Sequence, residues 1–206
     1  HIRAAVDEIV LSVLARESVN MRLMGLESLS GIPGTVGGAV AMNAGAYGAE
    51  IRHIIKSVRI LKNGRVLDVE TKKTDFGNRT SKYAAPEVVV LSATFQLEHD
   101  DGGARERMME TTRQRKEKQP LTFPSAGSVF KRPNGRFAGA LIEGAGLKGF
   151  SVGGAQISPM HAGFIVNNGN ATERDVLELI SIIQQRVYEE TGVQLEREVK
   201  LLSELS

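Results

Sequence analysis

The chain contains no cysteine and no tryptophan. The first absence excludes disulfides, thiolate nucleophiles and cysteine-ligated iron–sulfur or zinc sites. Histidines number 4 and are scattered, at His1, His53, His99 and His161, so no metal-ligand spacing is visible and no metal site is expected. Aromatic residues make up only 5% of the chain, and none interleaves a basic patch. With a net charge of +2, the broad cationic surface of a nucleic-acid binder is missing, and no nucleic-acid partner is expected. No apolar run approaches membrane-spanning length, and no signal-peptide pattern is visible, so a cytoplasmic protein without membrane partners is the expectation. The chain also opens on His1 rather than Met and enters a periodic pattern at once. That abrupt start suggests a tag remnant and a missing N-terminal region.

What is present is enough to build a core: 206 residues, 41% of them hydrophobic. Residues 2–18 read as an amphipathic helix, with Val6, Ile9, Val10 and Val13 on one face. A glycine- and alanine-rich stretch covers 24–50, with a short buried helical turn expected near Gly38–Met42. Residues 54–70 read as a hairpin around Asn63-Gly64, a dipeptide suited to a type I′ turn. Strands are expected at 87–97, 163–167 and 195–202. Helices are expected at 102–118 and within 137–146, where a glycine ends the helix. A last helix is marked by a Thr172/Asp175 capping box and stopped at Gly192. Strands followed by a mixed segment point to an α+β protein in two domains, 1–120 and 121–206.

GIPGTVGG, at 31–38, packs four glycines into eight residues, with Pro33 fixing one bend. Such a loop brings bare backbone N–H groups near an anion or a flat ring, where side chains would obstruct; a tight turn without a ligand has the same composition. A second glycine run, Gly144 to Gly149, matches G-x-G-x-x-G literally. A dinucleotide fingerprint must follow a strand and open a helix. Here a helical segment precedes it and FSVGGAQIS follows, so it reads as a helix stop.

The longer block GLESLSGIPGTVGGAVAMNAGAYG resembles the flavin loop of the UDP-N-acetylenolpyruvoylglucosamine reductase (UDP-N-acetylmuramate dehydrogenase) family. FGNRTSKY (76–83), PSAGSVFKRP (124–133) and LEREVKLL (195–202) resemble further blocks of that family in the same order. AGLKGFSVGGAQIS and HAGFIVNNGNAT are softer matches. The resemblance implies the C-terminal part of a vanillyl-alcohol-oxidase-type FAD-binding domain followed by a smaller α/β substrate domain. It also implies that a first FAD subdomain is missing. The short interval between Arg79 and Ser128 is similar to the branch without a tyrosine-bearing substrate lid, type II.

The implied cofactors are FAD and, as reductant, NADPH; the implied substrate is an enolpyruvyl UDP-sugar. The loop residues that the resemblance assigns to FAD are Gly31, Ile32, Pro33, Gly34, Thr35, Gly37, Gly38, Asn43 and Gly45. It assigns Arg79 to the substrate carboxylate, where a guanidinium can form two parallel hydrogen bonds. Ser128 matches the proton donor, with Ser125 the competing register. Glu198 matches a third catalytic group that pairs with Arg79 or polarises the enol carboxylate. Glu196 lies on the same side if the segment is a strand, so physics alone does not separate the two. Lys118, Lys131, Arg132, Lys148 and His161 are candidates for the diphosphate path, whereas Arg113, Arg115 and Lys116 read as a solvated helical face. Two alternatives stand beside this reading: another flavin oxidoreductase of the same fold, and a truncated chain that binds UDP-sugar but not FAD and is inactive.

Overall fold

The computed structural model describes residues 2–5, 9–201 and 204. It divides into two compact units, His1–Arg115 and Lys116–Ser206, each with its own hydrophobic core.

In the first unit, β1 (Ile2–Ala5) is followed by α1 (Leu11–Asn20) and β2 (Leu23–Met24). The first helix is thus shorter than its periodicity suggests. Residues 2–5 instead pair antiparallel with a distant strand, and Val6 lies outside the described residues. The buried face also differs: Leu11, Leu14, Ala15 and Ser18 point inward, while Val10 and Val13 are exposed. The helix start is fixed by a β-bridge between Val10 and Thr35 and by Leu11 N–H donating to the Gly34 carbonyl (2.9 Å).

Next come α2 (Val36–Ala41), β3 (Gly45–Ala46) and β4 (Ala49–Glu50). They are followed by the hairpin β5 (Ile55–Lys62) and β6 (Arg65–Glu70). Asn63 and Gly64 both have positive φ, 49° and 73°, as a type I′ turn requires. A small hairpin, β7 (Phe76–Gly77) and β8 (Thr80–Ser81), precedes β9 (Val88–Phe95), β10 (Glu98–His99) and α3 (Ala104–Lys118). The main sheet is ordered β1-β9-β5-β6. Val58 and Ile60 of β5 and Val90, Ala93 and Phe95 of β9 supply its core face. Helix α2 packs on β9 through Val36, Ala39 and Val40, which holds the glycine loop against the sheet.

The second unit contains β11 (Ser125–Ser128), α4 (Ala138–Gly144), β12 (Ser151–Val152), β13 (Ala155–Ile157), β14 (Phe164–Asn167) and α5 (Glu173–Thr191). Its sheet is ordered β11-β14-β13-β12, all antiparallel. Helix α5 covers it with Leu179, Ile180, Ile183 and Val187. The Thr172/Asp175 capping box forms in both directions, and Gly192 ends the helix at φ 68°. The second glycine run behaves as a helix stop: α4 ends at Gly144, and Gly146 and Gly149 have φ of 67° and 81°. The expected final strand does not form over the described part of 195–202. Only Arg197 bridges, to Phe130, because the segment it runs beside soon reaches Pro133 and turns away (Arg136 N–H to the Pro133 carbonyl, 3.2 Å).

Candidate functional site

In the first unit the glycine loop is tied to the core at several points. Val36 N–H donates to the Ile9 carbonyl (3.0 Å), and Thr35 caps α2 by accepting from Gly38 N–H (3.2 Å). Pro33, Gly34, Thr35 and Gly38 remain exposed. Gly34 has φ +128°, which side-chain-bearing residues rarely adopt, and no atom lies within 4 Å of where its Cβ would be. Around Gly34 the loop therefore presents bare backbone that fits the approach of a flat ring.

Gly31, Asn43 and Gly45 have internal partners instead. A Cβ on Gly31 would lie 2.3 Å from Cδ of Arg115, and one on Gly45 would lie 2.9 Å from the Ala49 carbonyl. Asn43 is buried, with φ 44°. Arg115 thus corrects the sequence reading. It is not part of a solvated face but half-buried over Gly31. Burial pulls its pKa down, opposed by Tyr47. The absence of a side chain at Gly31, eighty-four positions away, is what admits it, a pairing no local pattern shows. Arg113 does sit at the surface, paired with Glu110 (2.7 Å).

Arg79 occupies the turn of the β7–β8 hairpin. Phe76 pairs with Ser81 and Gly77 with Thr80, leaving Asn78 and Arg79 as the two-residue loop. Arg79 has φ 56° and donates from Nη1 to the Gly45 carbonyl (3.2 Å). The hairpin rests on a buried pair of rings, Phe76 and Tyr83, whose centroids are 5.7 Å apart. The Tyr83 hydroxyl donates to Asp75 (3.2 Å), and Lys82 pairs with the same carboxylate (2.8 Å). Burial and then the Asp75 charge push the Tyr83 hydroxyl pKa up, so it stays protonated. Burial works against ionisation of Asp75, but the Lys82 ammonium, the Lys72 N–H and the Tyr83 hydroxyl together hold its pKa below the usual value.

In the second unit the two candidate serines are distinguished by their bonds. Ser125 Oγ donates to the Ile165 carbonyl (2.9 Å) and accepts from Gly127 N–H (3.2 Å). Ser128 is exposed, and its hydroxyl makes a long contact to the Phe130 carbonyl (3.3 Å). The next residue, Val129, is buried and held from both sides. Its N–H donates to Gly163 (2.9 Å), and its carbonyl accepts from Glu198 N–H (2.8 Å). A bulge between Ser125 and Ser128 interrupts the register with β14 and turns the end of the strand.

The structure therefore brings Ser128, Lys131, Glu196 and Glu198 together. Lys131 N–H donates to the Glu196 carbonyl (2.9 Å), and the Lys131 ammonium pairs with the Glu196 carboxylate. Glu196 is thereby committed to a lysine, while half-buried Glu198 is anchored one residue from Ser128. His161 lies in the loop between β13 and β14. Its Nδ1 accepts from Gly163 N–H (3.0 Å), and its ring meets Phe164 edge-on at 4.9 Å. Burial, opposed in part by the backbone hydrogen bond, holds the imidazole pKa below its ordinary value. Of the other cations, Lys148 pairs with Glu143 (2.8 Å), Arg132 lies 3.9 Å over the Phe137 ring, and Lys118 is exposed at the end of α3. A cavity of about 270 Å³, lined by Ser125, Val129, Val166, Val176 and Val199 among others, opens on the Ser125 side of β11. Among the described residues, no helix is long and apolar enough to cross a membrane.

Comparison with known proteins gives two family matches. Residues 119–202 match the C-terminal domain of UDP-N-acetylenolpyruvoylglucosamine reductase, and residues 9–70 match an FAD binding domain. The chain is similar to the UDP-N-acetylenolpyruvoylglucosamine reductases of three bacteria. It is 48% identical to that of Caldanaerobacter subterraneus over 94% of this chain and 65% of the relative. For Syntrophomonas wolfei the values are 46%, 94% and 66%. For Clostridium botulinum strain 657 they are 44%, 98% and 69%. The chain thus spans about two thirds of the length of these curated relatives. Among solved structures it resembles UDP-N-acetylenolpyruvylglucosamine reductase from Thermus caldophilus, with a TM-score of 0.80 at 40% identity, over 93% of this chain and 70% of that one.

Proposed function

The chain belongs to the UDP-N-acetylenolpyruvoylglucosamine reductase family, and from that premise we propose that it serves in reducing UDP-N-acetylenolpyruvoylglucosamine to UDP-N-acetylmuramate for peptidoglycan synthesis. NADPH is the reductant and the cytoplasm is the setting. FAD, when bound, supplies the hydride. Ile32 to Gly38 would hold its ring, because Pro33, Gly34, Thr35 and Gly38 are exposed and Gly34 faces open space.

Adding hydride to the enolpyruvyl double bond leaves negative charge on the carbon beside the carboxylate, and a proton must then arrive there. Arg79 holds the carboxylate and stabilises the charge as it grows. Ser128 delivers the proton. A serine is a weak acid, but it suffices beside a strongly basic carbanion when held in line. Glu198 polarises the enol carboxylate. Lys118, Lys131, Arg132, Lys148 and His161 are the groups on which a diphosphate path draws.

The observation that carries this reading is the contrast between the serines. Both are exposed, but the Ser125 hydroxyl bonds twice within the sheet, whereas the Ser128 hydroxyl makes a long contact to the Phe130 carbonyl (3.3 Å), on a segment whose next residue is held on both sides. The test is Ser128→Ala in the flavin-loaded protein, with the half-reactions followed separately. Reduction of flavin by NADPH is expected to stay within about twofold. Reoxidation by the enolpyruvyl sugar is expected to slow by a factor on the order of 10² to 10⁴, the range for a lost acid–base group. Equal loss in both halves removes Ser128 from the proton-donor role.

A further inference from the structure

The backbone that leaves the glycine loop runs beside the hairpin that carries Arg79, and three side-chain-to-backbone hydrogen bonds join them. Ser81 Oγ donates to the Ala41 carbonyl (2.9 Å), Asn43 Nδ2 to the Gly77 carbonyl (2.9 Å), and Arg79 Nη1 to the Gly45 carbonyl (3.2 Å). They engage alternate residues, 41, 43 and 45, of one segment.

Asn43 is the centre of this seam. It is 2% exposed, and its amide is used on both sides. Besides Gly77, Nδ2 donates to Glu50 Oε2 (2.9 Å), and Oδ1 accepts from Arg52 N–H (3.1 Å). Glu50 is held in turn by the Arg52 guanidinium (2.7 Å). The backbone of Asn43 lies at φ 44°, a conformation that asparagine tolerates better than most residues. Gly45 cannot drift, because it packs against Glu50 and the Ala49 carbonyl. Asn43 therefore fixes Gly77, which adjoins the two-residue turn bearing Arg79, relative to the carbonyl on which the guanidinium rests.

We propose that Asn43 is a positioning residue for Arg79, setting where the guanidinium meets the substrate carboxylate. This rests on the reading of Arg79 given above. A displacement of the turn by about 1 Å is enough to cost a factor on the order of 10² where geometry controls rate. The role also explains why Asn43, inside a glycine-rich loop, turns its side chain into the protein.

The experiment compares two sugars in a binding titration: UDP-N-acetylmuramate, which carries the carboxylate, and UDP-N-acetylglucosamine, which lacks it. Asn43→Ala, Arg79→Lys and the double variant are measured against the parent protein. Each single variant is expected to weaken binding of the muramate about tenfold or more and to change binding of the glucosamine less than twofold. The double variant is expected to be no worse than Arg79→Lys, because Asn43 acts through Arg79. Additive losses, or equal losses for both sugars, overturn the positioning role. If Arg79→Lys loses the preference for the carboxylate while Asn43→Ala keeps it, the Asn43 proposal fails alone. If Arg79→Lys keeps the preference, the Arg79 assignment fails first and takes the Asn43 proposal with it. Should Asn43→Ala not fold, Ser81 gives the same test. Ser81→Ala is expected to lose the preference and Ser81→Thr, which keeps the hydroxyl, to retain it; equal behaviour of the two overturns the seam.

Discussion

At the scale of residues, Arg79 stands out because its backbone works against its side chain. It occupies the left-handed region at φ 56° in a position where glycine or asparagine is the relaxed choice. An arginine there is strained by about 1 kcal/mol or more, which fits a residue kept for its guanidinium. Comparing Arg79→Gly with Arg79→Ala cancels the lost side chain and leaves the backbone term. The glycine variant is expected to be the more stable by about 1 kcal/mol in denaturant unfolding, while both lose reoxidation by the enolpyruvyl sugar. A glycine variant no more stable than the alanine variant contradicts the strain. The sequence block FGNRTS points to Arg79 but carries no sign of this conformation. The choices between Ser125 and Ser128, and between Glu196 and Glu198, behave likewise. Each pair has the same residue type at close spacing, and nothing local shows that Ser125 bonds to Ile165 or that Glu196 pairs with Lys131.

At the scale of elements, those with strong local signals were legible. The β5–β6 hairpin carries its turn dipeptide, and α5 carries both its capping box and its glycine stop. Thr172→Ala removes the hydroxyl that accepts from Asp175 N–H (3.2 Å). It is expected to cost about 1 kcal/mol, read as a lower midpoint in urea, with FAD affinity unchanged. A loss below about 0.3 kcal/mol would mean that packing alone holds the helix start. The two misread elements were decided by long-range pairing. Residues 2–5 follow a helical pattern but join β9, whose partner residues are 92–95; a ladder of that kind overrides propensity. Residues 195–199 alternate like a strand, yet the segment opposite offers room only for the Phe130 bridge. The face of α1 was misassigned for a related reason. Its start is set by Gly34 and Thr35, which lie beyond its own sequence.

At the scale of the whole molecule, the compositional shift in the sequence falls near Pro120, whereas the structure divides between Arg115 and Lys116, inside the last turn of α3. The family was legible because several blocks recur in one order, a signal that no single glycine run provides. The arrangement inside the glycine stretch was not. The sequence treats its glycines alike, whereas the structure gives Gly34 to the open surface, Gly31 to Arg115 and Gly45 to the Arg79 seam. The activity proposed for the protein carrying this chain is transfer of electrons from flavin to an enolpyruvyl UDP-sugar. It is tested most directly by reducing the FAD-loaded protein without oxygen, adding UDP-N-acetylenolpyruvoylglucosamine, and following flavin absorbance. Rapid return of the oxidised spectrum is expected, with one UDP-N-acetylmuramate formed per flavin; a flavin that stays reduced until oxygen is admitted rules this activity out.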